Sequence, residues 1–168
     1  MCVHLCVRSR IFRSATIAAL RQIPHTKGST DTAGALAFLR NVMFTSANGD
    51  RSNVKNVAVV ITDGESDNRT ATLQEAVRAM NDGTHMIALA VGNWLDRYEI
   101  NSIASYPSRV NAIFGSNFTS IASFAKDIQL TICDSKYQCS LKERNAMFRI
   151  IKIGNDQLLT DFNRKSLW

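Results

Sequence analysis

The chain has 168 residues, 45% of them apolar, and a formal net charge of +6, which fits one globular domain with a buried core. No apolar stretch approaches the ~18 residues needed to span a bilayer, and Arg8 and Arg10 follow the apolar opening Met1–Val7 instead of preceding it, so no secretory leader is visible. The charge lies at the ends: residues 1–27 hold five bases and no acid, residues 134–168 seven bases and four acids, and the body between them eight bases and ten acids. A nucleic-acid binder concentrates basic charge on its folded body, so nucleic acid is not expected as a partner.

In chain order, Ser14 to Ile23 reads as a short helix, with Ile17, Leu20 and Ile23 on one face, broken by Pro24 to Gly28. Thr32 to Phe44 is an amphipathic helix carried by Ala35, Leu36, Leu39, Val42 and Met43. Val57-Ala58-Val59-Val60-Ile61 is continuously apolar, the pattern of a strand covered on both faces. Thr70 to Met80 is helical and closes at Asp82-Gly83; Met86 to Val91 is a second buried strand, stopped by Gly92. Asp96 to Ser105 reads as a helix, Val110 to Phe114 as a short strand and Phe118 to Ile132 as a last helix. Strands alternating with helices imply an α/β domain with a doubly wound, Rossmann-like, mostly parallel sheet and helices on both faces. Residues 134–168 show no such alternation, and only Met147 to Ile153 looks strand-like.

Two segments carry chemistry. Gly28-Ser29-Thr30-Asp31-Thr32 opens a helix, and Thr62-Asp63-Gly64-Glu65-Ser66 ends a buried strand, where ligands of open α/β sheets bind. A Thr30 hydroxyl with an Asp63 carboxylate suits a hard cation, and magnesium holds its waters and needs few protein carboxylates. Taken alone, the spacing favours a helix N-cap and a plain turn. No nucleophile–base constellation, Gly-x-Gly-x-x-Gly or Walker-type loop is present, so no enzymatic activity is expected.

The run Lys27 to Leu36, followed by Val57 to Ser66, resembles the von Willebrand factor type A family, especially its matrilin and fibril-associated collagen members. Ile87 to Gly92, Ile103 to Pro107 and Ile132-Cys133 resemble further family segments, so the likeness covers about residues 14–133. It implies an extracellular protein-binding module with a metal-ion-dependent adhesion site, in which Thr30 and Asp63 match two of three ligand groups. The third, Asp-x-Ser-x-Ser, is absent from this sequence. The implied cofactor is Mg2+, or Ca2+ or Mn2+, weakly held; the implied partners are matrix proteins such as collagen. The alternative is an inactive, truncated fragment of a matrix protein.

By the same resemblance the family's first strand, first helix and second strand are expected to be missing. Residues 1–13 are then a segment foreign to the family, with a possible edge strand at Val3–Val7, and residues 134–168 are a tail or linker. The family's first strand is central, so its loss predicts an open apolar edge on the Val57–Ile61 strand, with aggregation as the consequence. Cys133 matches a family cysteine whose partner precedes the first strand, which implies a free thiol unless Cys2 or Cys6 substitutes. Asn68-Arg69-Thr70 and Asn117-Phe118-Thr119 fit the N-glycosylation pattern of a secreted chain. Trp94 to Arg97 falls on the presumed ligand rim, to contact a partner or to pack on the next helix.

Overall fold

Val57 to Ile61 offers water no polar face, so a strand built from it must be covered on both sides. In the computed structural model, which describes residues 3–6, 28–53, 55–116 and 147–153, the run lies in β2 (Asn56–Thr62), buried from Val57 onward. The second apolar run forms β3 (His85–Val91), parallel to β2 with Val57 opposite His85 and Thr62 opposite Ala90. A short strand, β4 (Ala112–Gly115), adds parallel to β3. Two further strands, β1 (Val3–Cys6) and β5 (Met147–Ile153), complete the described sheet in the order β1-β5-β2-β3-β4.

Four α-helices are described beside it. The first, α1 (Thr32–Phe38), continues through a π-helical turn at Leu39–Met43. It is followed by α2 (Arg69–Asn81), α3 (Arg97–Ile103) and the single turn α4 (Ser108–Asn111). Alternate strand residues Ala58, Val60, Met86, Ala88 and Ala90 pack with Leu36, Leu39, Met43, Ala76, Ile100 and Ile103 in one apolar cluster. The intervening residues Val59, Ile61, Ile87 and Leu89 are buried as well, so neither face of the strands is left to water. Each such side chain contributes roughly 1.5–3 kcal/mol on burial. Arg40 ties α1 to the far end of α2, its Nε 2.7 Å from Asp82 and its Nη1 3.0 Å from Glu75. Those carboxylates, Asp82 first, hold its pKa above the usual arginine value.

The boundaries differ from the sequence reading at two helix ends. The helix expected over 96–105 stops at Ile103, because Ser105 turns back to the sheet: its N–H donates to Met86 O and its hydroxyl accepts from Met86 N, both at 2.9 Å. The strand expected at 110–114 begins only at Ala112. Buried Asn111 donates from Nδ2 to Ser105 O at 2.9 Å and Pro107 O at 3.3 Å, holding residues 108–111 in a helical turn.

The larger correction concerns the edge of β2. It was expected to be open, but β5 lies along its whole length in parallel, with Asn56 opposite Met147, Val59 opposite Ile150 and Thr62 opposite Ile153. β1 then pairs antiparallel with the other side of β5, Leu5 opposite Ile150. Part of the segment expected to be a tail is therefore a member of the sheet. The helices expected at Ser14–Ile23 and Phe118–Ile132, together with Asn117 and Cys133, lie outside the described residues.

Candidate cation site and its rim

Parallel strands send their carboxyl ends to one side of the sheet, so the ends of β2, β3 and β4 and the loops after β2 and β3 share that side. After β2, the Thr62 hydroxyl donates to Gly64 O at 3.0 Å and accepts from Gly64 N at 3.3 Å, closing a tight turn with half-buried Asp63 at its centre. After β3, Gly92 adopts φ of 145°, a conformation that side chains rarely allow, and its N–H donates to Gly115 O at 2.9 Å. A Cβ on Gly92 would lie 3.5 Å from Asp63 O, so the two loops are in close contact.

The Thr30 turn reaches the same place. Its N–H donates to Asp67 Oδ1 at 3.0 Å, and its carbonyl accepts from Asp67 N at 3.0 Å. Thr30 is thereby fastened to the loop that Asp63 opens. The helix behind it is capped by Asp31, whose Oδ1 accepts from Gly34 N at 2.8 Å, and not by a hydroxyl of Ser29 or Thr30. Among the described residues the Thr30 side-chain oxygen makes no hydrogen bond, so it stays available as a donor to a ligand. Asp67 was missed in the sequence because one acid in a polar loop has no period or spacing that marks a cross-loop partner.

Two more acids organise this end. Asp96 caps α3, accepting from Tyr98 N at 2.9 Å and Glu99 N at 3.2 Å, and pairs with Arg69 at 2.9 Å. Arg69 also stacks over the Tyr98 ring at 4.6 Å, and Arg97 over Phe114 at 3.9 Å. Glu99 is 3% exposed and accepts from the Ser66 N–H at 3.3 Å and from the Ser66 hydroxyl. Trp94 is 89% exposed, so it does not pack on the following helix. Asn68, also exposed, caps α2 through Oδ1, which accepts from Ala71 N at 3.0 Å.

A doubly covered parallel sheet whose strand ends carry Thr62-Asp63-Gly64 beside a Gly28-Ser29-Thr30 turn is the arrangement the resemblance implied. The von Willebrand factor type A domain matches residues 8–127. The chain belongs to that family. Chicken matrilin-1 (Gallus gallus) is 32% identical over 125 residues, 74% of this chain and 25% of matrilin-1. The mouse (Mus musculus) collagen alpha-5(VI) chain is 34% identical over 139 residues, 80% of this chain and 5% of the collagen. The chain thus spans a quarter or less of the length of these relatives. Among solved structures, proximal thread matrix protein 1 from the mussel byssus, with a zinc-occupied MIDAS motif, superposes with a TM-score of 0.65 at 20% identity. The match covers 71% of this chain and 30% of that one. At that identity the likeness establishes the fold. The family match ends before β5, so one interior strand of this sheet comes from outside the matched segment.

Proposed function

We propose that the chain is a non-enzymatic, protein-binding module of extracellular-matrix type, whose partner surface is the rim at the carboxyl ends of β2, β3 and β4. The observation that carries this reading is the reciprocal pairing of Thr30 with Asp67, which brings the two family ligand segments together on that rim. Exposed Trp94 and Tyr98 offer a partner apolar area at the same end.

A divalent cation would be held by the Thr30 hydroxyl and the Asp63 carboxylate. Both donors are oxygens, which suits Mg2+, with Ca2+ or Mn2+ as substitutes, over softer metals. Among the described residues no group of three His, Cys, Asp or Glu gathers that could hold a metal, so the fit is to an ion that keeps most of its water. When bound, the ion supplies positive charge and a position that an acidic group of a partner can complete. The chain's own residues do the rest: the Thr62–Gly64 bonds fix the turn that carries Asp63, and Asp67 fastens the Thr30 turn to the same loop.

Matrix proteins such as collagen are the proposed partners, and secretion the proposed setting, in which exposed Asn68 and, beyond the described residues, Asn117 would carry glycans. Residues 14–133 are the proposed family domain. The test is binding of the purified chain to immobilised fibrillar collagen by surface plasmon resonance, in Mg2+ and in EDTA. Binding lost in EDTA and reduced by both Thr30→Ala and Asp63→Ala is the expected result. Binding that ignores EDTA and both substitutions would refute the rim as the partner surface, and no binding at all would favour an inactive fragment.

A further inference from the structure

We propose that Glu99 is a positioning residue for the cation site, one that holds the Asp63–Asp67 loop against the Thr30 turn from inside the core; the proposal rests on the cation reading above. Carboxylates are almost never fully buried unless partnered, yet Glu99 is only 3% exposed. Its partners are two donors on a single residue of the site loop: Ser66 N–H, at 3.3 Å from Oε2, and the Ser66 hydroxyl on Oε1. Ser66 lies three residues after Asp63 and directly before Asp67, which clasps Thr30 through two backbone-mediated bonds. A continuous path therefore runs from α3 through Ser66 and Asp67 to Thr30.

The path has a rigid origin. Ile100 and Ile103 on α3 are 2% and 1% exposed in the core cluster, and Asp96 caps the helix while pairing with Arg69 of α2. An apolar residue of similar volume would fill the same space without the desolvation cost of a carboxylate. What it would not provide is an acceptor for both Ser66 donors, and those bonds fix where the loop sits. The expected effect of removing Glu99 is accordingly local to the loop and the Thr30 turn, not spread through the sheet.

Amide hydrogen exchange of the full chain, read by NMR without added metal, separates these cases for wild type, Glu99→Gln and Ser66→Ala. The Thr30 amide reports the far end of the path. It is expected to exchange roughly tenfold faster in both variants, the factor that follows from losing one hydrogen bond to a charged group. The Val59 and Ile87 amides, in the sheet interior, should stay within about twofold of wild type. Parallel titration with Mn2+ should show weaker binding in both variants. Unchanged Thr30 exchange would overturn the proposal, as would acceleration of all amides together, which marks an ordinary core residue. A wild type that binds no Mn2+ while Thr30 still responds to Glu99→Gln supports the loop coupling and overturns the cation reading instead.

Discussion

Ile150 stands opposite Val59 in β2 and Leu5 in β1, at the middle of the strand that closes the sheet. Proline there lacks the N–H that the ladder needs and fixes φ outside the strand's usual range. The carbonyl that loses its donor alone costs about 1–3 kcal/mol. β5 has seven residues, all registered against β2, and at a net ~0.5–1.5 kcal/mol per hydrogen bond that ladder is worth roughly 3–10 kcal/mol. Disrupting its centre should remove at least ~3 kcal/mol of a total that is typically ~5–15 kcal/mol. Among the described residues β1 joins the sheet only through β5, so it should detach as well. Urea unfolding followed by far-ultraviolet circular dichroism, with reducing agent present, measures the loss. At an m-value of ~1–3 kcal/mol/M the midpoint should fall by about 1–3 M. Ile150→Val keeps the ladder N–H and a β-branched strand former, so its midpoint should fall far less than that of Ile150→Pro. An Ile150→Pro midpoint within ~0.3 M of wild type would refute the reasoning: β5 would then be no structural strand, and the edge of β2 would be open.

His85 supplies a pH prediction. Burial, aided by the charge of Lys55 and opposed by a hydrogen bond with Asn111, lowers its pKa below the usual histidine value. The folded state then favours the neutral ring, so its contribution is complete above pH ~6.5 and is lost as pH falls from there through the lowered folded pKa. Wild type should lose more stability than His85→Gln between pH 7 and pH 5; parallel curves would contradict this. Gly92→Ala should destabilise by about 1–3 kcal/mol, because the φ of 145° is strained for any side chain, while the nearest atom, Asp63 O at 3.5 Å, leaves room for a methyl. Thermal melting checks it, and an unchanged melting temperature would count against the strain.

β2 and β3 were legible because both of their faces are buried, which demands an unbroken apolar run that no helix or loop here mimics. Met147 to Ile153 has the local pattern of a strand, but its partners lie about ninety and about one hundred and forty-five residues away, and pairing at such range leaves no periodic trace. The resemblance implies an open edge on the Val57–Ile61 strand, since no local rule says that a later segment can pair there. Thr30 and Asp63 could be picked out by motif and by the rule for strand ends. Asp67, Ser66 and Glu99 could not, because their hydrogen bonds cross between loops and depend on how α3 docks. Asn111 shifted the start of β4 for the same reason: its amide bonds carbonyls of the preceding loop, a contact invisible until the chain is folded.

The proposed cation site, in which Thr30 and Asp63 together hold a hard divalent cation, has few protein ligands. Its most direct test is NMR titration of the purified chain with Mg2+, following the amides of residues 28–32 and 62–67, for wild type, Thr30→Ala and Asp63→Ala. A saturable shift confined to those two segments is predicted, with a Kd in the millimolar range, near −4 kcal/mol, weakened by Thr30→Ala and abolished by Asp63→Ala. Shifts that persist unchanged in Asp63→Ala, or micromolar binding, would contradict the account, the first by removing the site and the second by demanding ligands that it does not contain.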